Sequence, residues 1–142
     1  MGEKVNKIEL QVGVKILLRN SAGKYLLLER SDKKYPETAG TWDIVGGRIH
    51  PGTKLLENLK REVKEETGLD ILGEPKLIAA QDILRVPGKH IVRLTYTGDI
   101  NGGLVKLDDE NKSYAWLTLE EIKQHDNLDI YLKELLEKRM FD

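Results

Sequence analysis

Glu62, Glu65 and Glu66 lie three and four positions apart in the stretch GRIHPGTKLLENLKREVKEETGL, Gly47 to Leu69, directly after a Gly-Gly pair. On an α-helix, residues at that spacing share a face, and at roughly 100° per residue the three carboxylates fall within an arc of about 100°. Crowded carboxylates repel, so a fold that keeps them together protonates one, pairs them with cations or binds a metal. Hard divalent cations such as Mg²⁺ suit such a cluster, because they take oxygen ligands, retain waters and bridge carboxylates to substrate phosphates. The competing reading is a solvated face laced with ion pairs, for which Glu57, Arg61 and Glu65 have the four-residue spacing.

The flanking residues favour the metal. Gly47, Arg61, Glu62, Val63, Glu65, Glu66, Gly68 and Leu69 fall in register with a longer pattern: glycine, five residues, glutamate, seven residues, then Arg-Glu-apolar-any-Glu-Glu-any-Gly-apolar. In this the chain resembles the Nudix hydrolases. It departs from them where Thr53 replaces the first glutamate of the pattern, and His50 stands where the opening turn often carries an acid.

The resemblance covers nearly the whole chain. It implies the Nudix fold, an α/β/α sandwich with a mixed β-sheet, as one domain over residues 1–142, and an enzyme that hydrolyses diphosphate bonds. It implies Mg²⁺, with Mn²⁺ as a substitute, held by Glu62, Glu65 and Glu66 and by the carbonyl of Gly46. A further ligand is expected from Glu110, six residues before Trp116 in the run Asp108-Asp109-Glu110; apart from the resemblance, that run reads as an exposed acidic loop. The implied catalytic residues are Glu62, Glu65, Glu66, Glu110 and Arg61. Glu62 and Glu110 are alternatives for the base that takes a proton from the water attacking phosphorus in line. Arg61 is expected to pair with Glu57 or Glu65 and orient a ligand without touching substrate.

Two local readings need no family. Thr53 precedes the apolar-periodic run Leu55, Leu56, Leu59 and Val63, where a Thr hydroxyl serves as an N-cap. Gly68 suits the residue just past the helix, which takes a left-handed conformation open to glycine at no steric cost.

The substrate beyond the diphosphate is read by other residues. Trp42, Tyr35, Tyr96 and Tyr131 are candidates for a stacking surface, although aromatics also build cores. Lys89 and Arg93 are candidate phosphate contacts or else solvated strand residues. Asn127 is placed somewhat as the base-reading Asn of MutT-type members, and an Asn near a helix start also serves as a cap. His50, His90 and His125 receive no role. Pro87 falls late for the ADP-ribose pyrophosphatase pattern, no tyrosine marks a diadenosine-polyphosphate hydrolase, and the downstream motif of NADH-cleaving members is absent. The expected substrate is a nucleoside triphosphate or related nucleoside diphosphate derivative, cut to a monophosphate. The alternatives are an ADP-ribose or nucleotide-sugar pyrophosphatase, a non-catalytic nucleotide-binding module, and an interaction protein whose acidic helix binds a basic partner.

Composition bounds these readings. The 142 residues are 39% hydrophobic, enough for one globular domain. Lys plus Arg number 23 against 24 Asp plus Glu, which leaves no electrostatic footprint for duplex nucleic acid. There is no cysteine, so thiol chemistry is excluded and a reducing cytoplasm is the expected location. The N-terminus MGEKVNK lacks a signal-peptide core, Asn6 breaks a myristoylation pattern, and no apolar run approaches the roughly 20 residues of a membrane span. Many Nudix proteins dimerise, so a homodimer stays open.

The chain must place the glutamates with strands and helices that alternate. Strands are expected at Glu9–Leu18 and Tyr25–Glu29 around an Asn20-Ser21-Ala22-Gly23 hairpin loop, then a short one at Thr41–Val45. Lys76–Val86 and His90–Gly98 should pair through Pro87-Gly88, and Tyr114–Leu117 should form the last strand. Helices are expected at Leu119–Gln124 and Leu128–Lys138, the latter with Leu128, Tyr131, Leu132, Leu135 and Leu136 on one face.

Overall fold

The computed structural model describes residues 7–33 and 36–141. Tyr35 and Asn6, considered above, lie outside the described residues.

Two strands set the frame. β1 (Glu9–Arg19) and β2 (Tyr25–Arg30) are antiparallel. Asn20 makes the turn between them, its side-chain oxygen accepting from the backbone N–H groups of Ala22 at 3.1 Å and Lys24 at 3.0 Å. Side chains alternate across a strand, and these strands are apolar on both faces. Val14, Ile16, Leu18, Leu26 and Leu28 join one core with Leu59 and Val63, whereas Leu17, Tyr25 and Leu27 join a second with Ile122, Leu132 and Leu135. The first core packs under helix α1 (Leu55–Thr67) and the second under α2 (Leu119–Lys123) and α3 (Ile130–Glu137). The result is the expected α/β/α sandwich.

The sheet has seven strands and is mixed. β3 (Trp42–Asp43) and β4 (Val45–Arg48) follow β2; β5 (Ile71–Ile83), β6 (Lys89–Ile100) and β7 (Asn111–Leu117) follow α1. β1 runs parallel to β6 over Glu9 to Arg19, and the other pairings are antiparallel. β1 and β2 meet at Arg19 and Tyr25, after which β1 pairs with β4 and β2 with β3. The two strands therefore splay. Their divergence explains why the single strand expected at Thr41–Val45 is two: β3 belongs to β2 and β4 to β1, with Ile44 between them.

Other boundaries moved for local reasons. β5 begins at Ile71, earlier than expected, because the sheet tolerates Gly73 (φ 71°) and Pro75 through an irregularity in register between Leu72 and Lys76. α3 starts at Ile130 because Asp129 caps it, accepting from the N–H groups of Tyr131 at 2.9 Å and Leu132 at 3.2 Å. Among the described residues, no helix is long and apolar enough to cross a membrane.

The expected N-cap at Thr53 is not formed. Lys54 occupies the cap position of α1 and no side chain caps it. Instead Asn58, fully buried in the first turns, donates back to the carbonyls of Thr53 at 2.9 Å and Lys54 at 2.8 Å. The opposite end follows expectation: Gly68 has φ 73° and donates its N–H to Lys64 O.

Candidate active site

The Gly46-Gly47 turn is built for close approach. Gly46 lies opposite Lys15 in the β1–β4 pairing at φ 143°, and a Cβ there would fall 2.0 Å from the Val14 carbonyl oxygen. At Gly47 a Cβ would meet Glu62 Oε2 at 2.7 Å. A side chain at Gly46 would therefore collide with the β1 backbone, and one at Gly47 would displace the Glu62 carboxylate that packs against the turn. The Gly46 N–H donates to Glu66 Oε2 at 3.1 Å. Glu66 is buried, and burial pushes its pKa up to about 8 despite the opposing pull of Lys15 and of that N–H.

The three glutamates separate into two groups. Arg61 Nη1 donates to Glu62 Oε1 at 2.8 Å and to Glu65 Oε2 at 3.2 Å. Arg61 thus takes Glu65, not Glu57, together with the adjacent Glu62. Its Nη2 donates to Asn58 Oδ1 at 3.1 Å and Arg48 O at 3.3 Å. Asn58 Oδ1 also accepts the His50 N–H at 2.8 Å, so one amide joins the motif's opening turn, the start of α1 and Arg61. The Glu65 side chain is 55% exposed, while Glu62 is tucked against Gly47 and burial raises its pKa.

Among the described residues, one group of converging carboxylates draws on a single helix glutamate and two loop acids. Glu66, Asp108 and Glu110 each place a carboxylate oxygen within 4.8 Å of the others. Asp108 Oδ1 accepts from Glu110 N at 3.2 Å and Asn111 Nδ2 at 3.1 Å, which curls this loop back toward α1. Ser31 ties the loop to the end of β2, its N–H donating to Glu110 O and its hydroxyl to Asp109 O, both at 2.8 Å. Burial raises the Asp108 pKa as well. An all-oxygen donor set from three carboxylates, beside the Gly46 peptide, fits a hard divalent cation.

This corner opens into a cavity of about 400 Å³ whose wall includes Lys15, Gly46, Gly47, Glu66 and Glu110 together with Asp43, Arg93, Asp129 and Tyr131. Arg93 is a buried residue, not a solvated one, 3% exposed, and its guanidinium grips Asp43 through Nη2–Oδ1 at 2.9 Å and Nη1–Oδ2 at 3.1 Å. Nη1 also lies 3.3 Å from Asp129 Oδ1. Burial works against the charge of Asp43, yet Arg93, Lys15 and Arg30 hold its pKa far below the ordinary carboxylate range. Lys89 reaches the cavity wall, whereas Asn127 is exposed and absent from it. Its backbone carbonyl accepts the Trp42 N–H at 2.8 Å, and Asp129 stands in the wall instead. Among the aromatics, Tyr131 lines the cavity, Tyr96 is core, and Trp42 packs against the His125 ring at 5.3 Å.

Residues 9–138 match the family model of the NUDIX domain. The chain belongs to this family. As a Nudix domain it is similar to the nucleoside triphosphatase NudI of Escherichia coli O17:K52:H18 (strain UMN026 / ExPEC), with 30% identity over 121 residues, 78% of this chain and 83% of that protein. It is similar to the 8-oxo-dGDP phosphatase NUDT18 of Mus musculus, with 30% identity over 68% of this chain and 29% of that longer protein. The crystal structure of a MutT protein from Methanosarcina mazei Go1 superposes with a TM-score of 0.82 at 31% identity, over 95% of each chain. This Nudix chain is an enzyme of the pyrophosphohydrolase class.

The Nudix pattern points to α1 and the glycine turn but is silent on their partners. Asp108 stands two residues before Glu110, and only the folded loop, held by the Asn111 amide, shows that its carboxylate joins Glu66. Asp43, Asp129, Asn58 and Lys15 lie in segments that read as ordinary strand, loop or helix, and nothing in their spacing announces that they meet.

Proposed function

We propose that this Nudix enzyme hydrolyses nucleoside triphosphates to nucleoside monophosphates and pyrophosphate, with Mg²⁺ as its cation. The observation that carries this reading is a single cavity whose wall holds both the Gly46-Gly47 turn with Glu66 and Glu110 and the buried Asp43–Arg93–Asp129 cluster with Tyr131. A volume of about 400 Å³ is in the range of small-ligand sites. The NudI relative, named a nucleoside triphosphatase, supports the same substrate class.

Glu66, Asp108 and Glu110 would hold the cation with the Gly46 carbonyl. When bound, the cation supplies neutralising charge to the phosphate oxygens and makes a coordinated water more acidic. Glu62 and Glu65 steady Arg61, which fixes the helix start through Asn58. Of the two candidate bases, the position of Glu110 in the cavity wall supports it as the acceptor. Water oxygen bonds to phosphorus as the bridging P–O bond breaks in line, its proton passes to Glu110, and pyrophosphate leaves. Asp129 and Tyr131 offer an acceptor and a ring face to the base.

The test is a panel of nucleoside triphosphates, ADP-ribose and nucleotide sugars with Mg²⁺, products resolved by chromatography. Monophosphate and pyrophosphate should come fastest from triphosphates. Faster cleavage of ADP-ribose or a nucleotide sugar would replace this reading with the other pyrophosphatase class.

A further inference from the structure

Lys15 projects from β1 opposite Gly46, and its ammonium has three oxygen neighbours. Nζ lies 3.2 Å from the Ile44 carbonyl, 3.3 Å from the Gly46 carbonyl and 3.3 Å from Asp43 Oδ2, with the side chain 11% exposed. An ammonium has three N–H donors, so these oxygens account for all of them.

Pairing with Asp43 does not explain the lysine. Asp43 already receives both Nη groups of Arg93, Nη2 of Arg30 at 3.3 Å and the Ile44 N–H at 2.7 Å. Burying one more charge carries a desolvation cost that a carboxylate so well supplied does not need to meet. The other face of the contact is more informative. Lys15 donates to the Gly46 carbonyl while Glu66 accepts from the Gly46 N–H at 3.1 Å, so an ammonium and a carboxyl group grip the same residue from its two polar atoms.

We infer that Lys15 is an internal competitor for the divalent cation, occupying the Gly46 carbonyl with a fixed positive charge and thereby weakening cation binding at Glu66, Asp108 and Glu110. The inference rests on the cation seat argued under Proposed function. A dication that shares this carbonyl must displace the ammonium or bind beside it, and like charges at a few ångströms in a partly desolvated site repel strongly. The lysine also gives the carbonyl a partner and so keeps the turn in shape. It sets an exchangeable cation rather than a permanently held one.

The test is Mn²⁺ titration of the full chain, free ion read by electron paramagnetic resonance, with circular dichroism as the check on folding. Lys15→Met and Lys15→Gln should each bind Mn²⁺ about tenfold or more tighter than the native protein, and Glu66→Gln should bind it far more weakly. Lys15→Gln keeps a donor for the carbonyl without the charge, so it carries the test if Lys15→Met does not fold. Native binding that neither substitution tightens overturns the inference about Lys15 alone. A native protein that binds no Mn²⁺ overturns the cation seat itself, and the inference with it.

Discussion

The Glu66 carboxylate accepts the Gly46 N–H at 3.1 Å across 20 residues of sequence, joining the two ends of the Nudix motif in one buried contact. The helix presents the acid, the glycine turn presents the peptide, and each depends on the other for its position.

That burial has a pH signature. Burial pushes Glu66 up to about 8 from an ordinary 4.5. A carboxyl group whose folded pKa is raised contributes stability that is fully present below about 4.5 and is lost as pH rises through about 8. Cation binding requires the carboxylate, so it should expel a proton near neutrality. Calorimetric titration with Mg²⁺ at pH 6.5 in two buffers of different ionisation enthalpy should show proton release and affinity that grows toward pH 8. Equal heats in both buffers, with affinity flat over that interval, would count against a buried Glu66 ligand.

Gly46→Ala should cost about 3 kcal/mol or more, since the new Cβ would fall 2.0 Å from the Val14 carbonyl oxygen at a backbone φ of 143°. Urea unfolding measures it. A loss below about 1 kcal/mol would mean that the β1–β4 pairing gives way easily.

Asn58→Ala should destabilise the chain by about 1–3 kcal/mol, because it strips partners from the His50 N–H and from the Thr53 and Lys54 carbonyls. It should also lower kcat about 10-fold to 100-fold with little change in KM, as Arg61 loses one of its anchors. Unchanged kcat in a folded variant would show that Arg61 holds its place without the amide.

How far the sequence reveals this arrangement depends on the range of the interaction. The helix, its Gly68 end and the Gly46-Gly47 turn follow from spacing and conformational freedom, which are local. The alternation of Ile16, Leu17 and Leu18 between two cores is equally legible in an apolar strand. Thr53 shows where local reasoning misleads: it has the right chemistry for a cap, yet Asn58 reaches back to its carbonyl and settles the turn differently. Asp43, Arg93 and Asp129 come from β3, β6 and the loop before α3, segments far apart in sequence that meet only in the folded chain. Asn127 and Asp129 are two residues apart, too close for spacing to tell which one reaches the cavity.

Asp43→Asn should destabilise by about 3–5 kcal/mol, since it leaves the buried Arg93 short of its main counter-charge. With Asp43 held below the ordinary 3.8, its contribution is present above that value and is lost as pH falls through the acid range. The variant's melting temperature should therefore vary less between pH 5 and pH 3 than that of the native protein. An identical acid slope would show that other carboxylates govern the acid transition.

Phosphorus NMR of a nucleoside triphosphate incubated with Mg²⁺ and either the native chain or Glu66→Gln bears on the whole reading at once. Native protein should convert the triphosphate to monophosphate and pyrophosphate, and the substitution should slow this on the order of 100-fold or more while leaving the fold intact. Equal rates from the two proteins, or intact triphosphate with the native one, would contradict it.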